Sequence, residues 1–235
     1  MKTILFATTA AVLCGLSTHA AAQSASPIAI AAVGELVVTA NRSPQEAERV
    51  GQSVTVLDAD AIRASQSIDV STLLAQTPGV SFSRNGGVGG STSVRIRGAE
   101  GDQTVVVIDG VKLNDPSTAG GGYNFANLLA GDIGRIEILR GAQSTLWGSQ
   151  AIGGVVNIIT AEAQSPFEAT LTAEGGSMST GYLRAAAGGK TERVTWRLAG
   201  GRYETDGISS YRLGKEKDGY ENTGFRGRAV IRATA

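Results

Sequence analysis

The chain has one cysteine and one histidine, Cys14 and His19, and both stand close to its start. They fall in a stretch that reads as an export signal: Lys2, an apolar run from Ile4 to Leu16, then Ala20-Ala21-Ala22 before Gln23. Cleavage after residue 22 leaves a mature protein with neither side chain. That excludes disulfides, thiol nucleophiles, His-based triads and the usual zinc sites. The early apolar run falls short of the roughly 18 residues a spanning helix needs, and no later segment supplies them. Cys14 follows Leu13 inside that run, where a lipid-anchor site would have a small residue. Nor is there an excess of one charge: 21 Lys and Arg balance 21 Asp and Glu, which argues against a nucleic-acid partner.

Glycine, by contrast, is plentiful, with 32 in 235 residues, about twice the ordinary usage of roughly 7%. It falls in loops and strand ends, so the chain reads as turn-rich and β-rich. Residues 23–34 are small, uncharged and aperiodic, a flexible leader. Glu35-Leu36-Val37-Val38-Thr39-Ala40 is a lone β-prone segment before the turn Asn41-Arg42-Ser43-Pro44. From Ser53 short strands alternate with short helices. Strands are predicted at Ser53 to Leu57, Val80 to Arg84, Ser93 to Arg97, Thr104 to Ile108, Arg135 to Leu139 and Val155 to Ile159. Helices are predicted near Asp58 to Ser65 and Asp69 to Gln76, the second capped by Ser67 or Asp69 and ended by Pro78-Gly79. This is an α+β domain over residues 41–165.

After Pro166 the pattern changes. Glu168 to Ala173, Gly181 to Ala187, Glu192 to Tyr203 and Phe225 to Ala233 alternate apolar with polar residues, as the first antiparallel strands of a transmembrane β-barrel do. A half-buried soluble sheet alternates in the same way. The tight connection Gly188 to Thr191 and the long polar stretch Glu204 to Gly224 favour the barrel, whose turns are short on one side and long on the other.

Three blocks make the chain resemble the TonB-dependent receptors. The first is Glu35 to Ala40, which looks like the family's TonB box. The second is Val94-Arg95-Ile96-Arg97-Gly98 with Val105 to Asp115, and the third runs from Gly134 to Thr160. Two positions depart from the family pattern, Ala142 where proline is usual and Trp147 where tyrosine is common. Within the family the likeness is greatest to its cobalamin receptors. The resemblance implies a plug domain and an incomplete β-barrel of about four strands over residues 166–235, exported to the cell outer membrane. A family barrel has 22 strands, on the order of 450 residues at ~10 per strand with turns and loops, so the chain is expected to be a fragment unable to transport.

The same resemblance implies the site. The box, Glu35, Leu36, Val37, Val38, Thr39 and Ala40, would add as a strand to the TonB C-terminal domain, since unpaired backbone groups supply affinity whatever the side chains. Asn85, Gly86, Gly87, Asn114, Ser117 and Tyr123 would face an extracellular small-molecule ligand, cobalamin or another metal chelate. Arg97 and Arg140 would pair with barrel carboxylates beyond this chain, a task that suits the guanidinium fork. Asp206, Asp218 and Glu221 could hold calcium through their carboxylate oxygens; no other cofactor is expected. The twelve residues from Gln23 to Gly34 leave no room for an extra periplasmic signalling domain, which implies transport without transcriptional signalling. The alternatives are a siderophore receptor of the same family, a secreted hydrolase using a carboxylate pair such as Glu137 and Asp109, and a periplasmic adaptor made of the plug alone.

Overall fold

The computed structural model describes residues 36–37, 45–46, 50–118 and 120–233. The expected export signal and leader, and Glu35, Val38, Thr39 and Ala40 of the box, lie outside the described residues. Strand β1 (Leu36–Val37) is not alone. It pairs antiparallel with β2 (Gln45–Glu46), Leu36 opposite Glu46 and Val37 opposite Gln45. This pairing corrects the reading of a lone strand, and the turn expected at 41–44 lies outside the described residues.

The first domain is built on a five-stranded mixed sheet. Its strands are β3 (Ser53–Asp58), β6 (Thr104–Ile108), β7 (Val111–Leu113), β8 (Ile133–Arg140) and β9 (Gly154–Thr160), in the order β3-β8-β9-β6-β7. Only β6 and β9 run parallel. Helix α1 (Ala59–Ser65) is capped by Asp58, whose carboxylate accepts from Ala61 N–H at 2.8 Å. Helix α2 (Val70–Ala75) is capped by Asp69, which settles the choice against Ser67. The hairpin of β4 (Val80–Arg84) and β5 (Thr92–Ile96) completes that layer.

Alternation explains how one sheet serves two cores. Val106, Ile136, Ile138, Val156 and Ile158 face the helices and the hairpin, packing with Leu57, Leu73, Leu74, Ile96 and Phe125. Val105, Val107, Leu139 and Val155 point the other way, to Val50, Ala151 and Trp147. Covered on both faces, β6 and β9 read as near-continuous Val and Ile runs. A Cβ on Gly154 would collide with the Leu139 carbonyl, which accounts for glycine at the head of β9. The short β7 and the one-turn α3 (Ser144–Trp147) escape sequence reading, being too brief to show a period.

The second sheet is antiparallel, β10 (Glu168–Gly176), β11 (Thr180–Lys190), β12 (Val194–Thr205) and β13 (Tyr220–Ile231) in chain order. The tight turn between β11 and β12 is at Thr191, Glu192 and Arg193, not at Gly188 to Thr191, and β10 joins β11 by an equally short connection at residues 177–179. Gly188 and Gly189 lie inside β11, opposite Arg197 and Trp196. A side chain there would press on Ala163, the Pro166 carbonyl and the Trp196 ring, so these glycines permit close approach rather than reversal. The long connection shortens to residues 206–219, because pairing of β12 with β13 begins at Thr205 and Tyr220.

The face of this sheet turned to the first domain carries Tyr182, Arg184, Arg197, Tyr203, Arg226 and Arg228. The other carries Leu171, Leu183, Leu198, Phe225 and Ile231, all exposed. The expected dyad pattern is realised, and among the described residues the four strands form an open sheet. No described helix is long and apolar enough to cross a membrane, which says nothing of strands.

Candidate functional site

The candidate ligand residues separate into two loops. Asn85, Gly86 and Gly87 belong to the turn closed by Asn85 N–H donating to the Ser91 carbonyl at 3.0 Å. This turn leans on the second sheet: a Cβ on Gly86 would sit 2.9 Å from Ser210 Oγ, and one on Gly89 (φ +85°) would strike the Tyr220 ring. The other loop, with Asn114, Ser117 and Tyr123, borders a cleft of about 360 Å³. Tyr123 lines it, packed edge-on to Phe125 with ring centroids 4.9 Å apart. Burial pushes the Tyr123 phenol up, against the lowering influence of Arg226. Ser117 donates its hydroxyl to Asp115 at 2.6 Å and its N–H at 2.9 Å, which together hold that carboxyl below the usual range.

Sequence reading missed the charges in this cleft. Arg95, Glu100, Asp102 and Asp115 line it beside Thr92, Ser93, Thr118 and Asn124, one cation against three carboxylates. Arg95 lies 3.4 Å from Glu100. The signal was available, since Glu100 and Asp102 lie between the two halves of the second family block and Asp115 ends it.

Arg97 and Arg140 lie near one another around Gly79 and Gly141. Arg140 donates to Ser53 Oγ at 2.6 Å and to Thr55 Oγ1, and burial followed by the Arg97 charge lowers its pKa. Among the described residues neither arginine has a carboxylate partner.

Contacts between the two sheets have the opposite polarity, with carboxylates on the first domain and arginines on the strands. Asp132 meets Arg184 and Arg197, while Arg228 meets Glu162 at 2.8 Å and Asp109 at 3.7 Å. Above them Tyr220 Oη donates to Asn127 Oδ1 at 2.8 Å, and Tyr182, Tyr203 and Tyr220 stand in a row across three strands.

The three candidate calcium ligands are not gathered. Asp206 is bound by Lys217 at 2.7 Å, Asp218 accepts from Ser210 N–H at 2.6 Å, and Glu221 meets Arg202 at 2.9 Å from within β13. Their hydrogen bonds hold Asp206 (chiefly Lys217, then Ser179) and Asp218 (Ser210) below the ordinary carboxylate range. No group of three acidic, His or Cys residues that could hold a metal ion occurs among the described residues. The alternative hydrolase pair fares no better. Glu137 is fully buried against Arg135, and Asp109 is occupied by the Thr160 N–H and hydroxyl at 2.9 and 2.7 Å.

A sequence model of the TonB-dependent receptor plug domain matches residues 46–155. The vitamin B12 transporter BtuB of Vibrio vulnificus is 36% identical over 178 residues, 74% of this chain and 28% of that protein. Its counterpart from Photobacterium profundum is 34% identical over 197 residues, 83% of this chain and 32% of that one. The chain therefore spans less than a third of the length of these relatives. Among solved structures, the siderophore receptor PirA from Acinetobacter baumannii superposes with a TM-score of 0.60 at 24% identity, over 77% of this chain and 29% of that one. The ferripyoverdine receptor of Pseudomonas aeruginosa gives 0.62 at 18% identity, over 75% and 23%. Likeness at these identities speaks for the fold alone.

The chain belongs to the TonB-dependent receptor family, and it carries that family's plug domain followed by antiparallel strands. Members of the family, the BtuB proteins included, are outer-membrane proteins, the location expected from the export signal and the alternating strands.

Proposed function

We propose that the receptor to which this chain belongs serves TonB-dependent active transport across the outer membrane and that its cargo is cobalamin. The ligand docks on the plug's apical loops, and the TonB C-terminal domain takes the box as an added strand and pulls. No bond in the cargo is made or broken, and the occupied states of Glu137 and Asp109 agree with a carrier rather than a hydrolase. The box suits exchange because, among the described residues, two pairs join it to Gln45–Glu46.

The observation that carries the choice of cargo is the charge of the apical cleft. Three carboxylates against one arginine, with hydroxyl and amide groups between them, favour a neutral ligand rich in amide N–H donors. They disfavour a polyanionic ferric catecholate, which the same carboxylates repel. Relatedness to vitamin B12 transporters supports the same reading, whereas the siderophore receptors among the structural neighbours support only the fold. Equilibrium binding to the full-length receptor tests it. Cyanocobalamin should bind and compete with its own radiolabelled form, while a ferric catecholate should not displace it. Tight binding of the catecholate with none of cyanocobalamin would make this a siderophore receptor.

A further inference from the structure

Three arginines on three neighbouring wall strands converge on one plug residue. Asp132 Oδ1 accepts from Arg184 Nη2 of β11 at 2.7 Å and from Arg197 Nε of β12 at 2.6 Å. Arg226 Nη1 of β13 donates to the Asp132 carbonyl at 3.5 Å. The Asp132 side chain is 7% exposed, and those of Arg184 and Arg197 are 16% and 11% exposed, so the contact is largely removed from water. Arg197 also reaches Glu168 Oε1 at 2.7 Å, which ties the first wall strand into the same cluster.

Arg197 stands directly opposite Arg228 in the register of β12 and β13, an arrangement of like charges that weakens strand pairing. Glu168 of the wall offsets part of that repulsion at Arg197, and a carboxylate arriving from the plug offsets more of it. Asp132 is built to deliver it: the residue has φ +64°, a left-handed conformation that sets it apart from the strand it precedes, and a register shift follows between Ile133 and Arg135. The side chain thus leaves the β8 ladder at the end nearest the wall, while β8 itself is held between β3 and β9.

We infer that Asp132 is the hub that seats the plug on the first wall strands, a positioning residue that contacts wall arginines and no ligand. The geometry does not depend on which cargo is carried, so its test needs neither ligand nor TonB and can fail independently of the transport reading.

The full-length receptor is placed in planar bilayers as wild type, Asp132→Asn, Arg184→Gln and the double variant, and spontaneous current is recorded. Retarded migration of unheated samples on denaturing gels checks that each barrel is closed. Asp132→Asn should raise the frequency of open-pore events roughly tenfold, the ratio that ~1.4 kcal/mol of lost docking produces. Arg184→Gln should add less to Asp132→Asn than it does to wild type, because the two residues share one interaction. Wild-type current from Asp132→Asn, or strictly additive effects, overturns the hub. Should Asp132→Asn fail to assemble, Asp132→Asn/Arg184→Gln/Arg197→Gln must assemble again, since the fault is then two unpaired guanidiniums; failure of that triple variant also overturns it.

Discussion

At the scale of single residues, Asp69 does more than end a helix. Its carboxylate accepts from Thr72 N–H at 2.8 Å, the Thr72 hydroxyl at 2.9 Å, the Ser71 hydroxyl and Arg84 Nη2 at 3.0 Å. Burial raises its pKa, but the Ser71 and Thr72 hydrogen bonds and the Arg84 charge outweigh that, and the net shift is downward from 3.8. A carboxyl depressed in the folded state stabilises fully above its unfolded value and loses that contribution as pH falls through the folded one. Asp69 should therefore add an acid limb to plug stability below about pH 3.8. Asp69→Ala removes the cap and strands Arg84, at a cost of about 3 kcal/mol, whereas Asp69→Asn keeps the cap and loses the acid limb. Calorimetric unfolding at pH 7 and pH 3 distinguishes the three proteins. An unchanged pH profile for Asp69→Asn would remove the argument.

The cap itself was legible in the sequence, because Asp before an apolar face at helical spacing has a local meaning. The partnership of Asp132 with Arg197 was not. The two residues are 65 positions apart, and each has a plain local reading, one a turn residue beside Gly131, the other the polar member of an alternating strand. Arg97 and Arg140 attracted attention for the opposite reason, since both stand before glycines at the ends of strand-like runs. The structure puts those two together, and among the described residues no carboxylate pairs with either.

Among elements, those with five or more residues and a clear period were found within a residue or two, from β3 to β9. What failed was punctuation by glycine. Gly188-Gly189 looks like a turn and serves as a thin place in a strand, a distinction made by Ala163, Pro166 and Trp196 rather than by local sequence. Leu36–Val37 was legible as part of a β-prone segment, but its partner was hidden, because Gln45–Glu46 has neither β-propensity nor an apolar face. That pairing sharpens the expectation for the box. Val37→Pro removes an N–H and pushes Leu36 away from helical backbone, which weakens strand addition to any partner sheet. In the full-length receptor, ligand binding should be unchanged while energised uptake is lost. Equal uptake by Val37→Pro and wild type would deny the segment its role.

For the whole molecule, the second sheet separates two environments, and its register says which residue meets which. On the face away from the plug, Trp196, Leu198 and Gly200 of β12 lie opposite Ala229, Gly227 and Phe225 of β13. Leu171, Leu183, Phe225 and Ile231 are exposed there by 73%, 55%, 79% and 75%, far too apolar a surface to be left to water. Toward the long loop the same face turns polar, with Arg202 opposite Thr223 and Glu204 opposite Glu221. From Ile231 to Phe225 the apolar stretch runs about 20 Å along the strand at ~3.4 Å per residue, about 15 Å of height at a ~40° tilt, which fits inside the ~25 Å outward band of an outer-membrane barrel. Position along the strand should therefore decide the tolerance for charge. In the full-length receptor Leu198→Arg, well within the band, should destabilise by ~2–4 kcal/mol, and Thr223→Arg, at its polar rim, by ~0–1 kcal/mol. Both side chains point away from the plug, so neither substitution disturbs Asp132 or the apical cleft, and ligand affinity in the assembled fraction should not change. Denaturant titration of the receptor in lipid vesicles measures the difference. Equal losses at the two positions would mean that this face does not meet the membrane as its register implies.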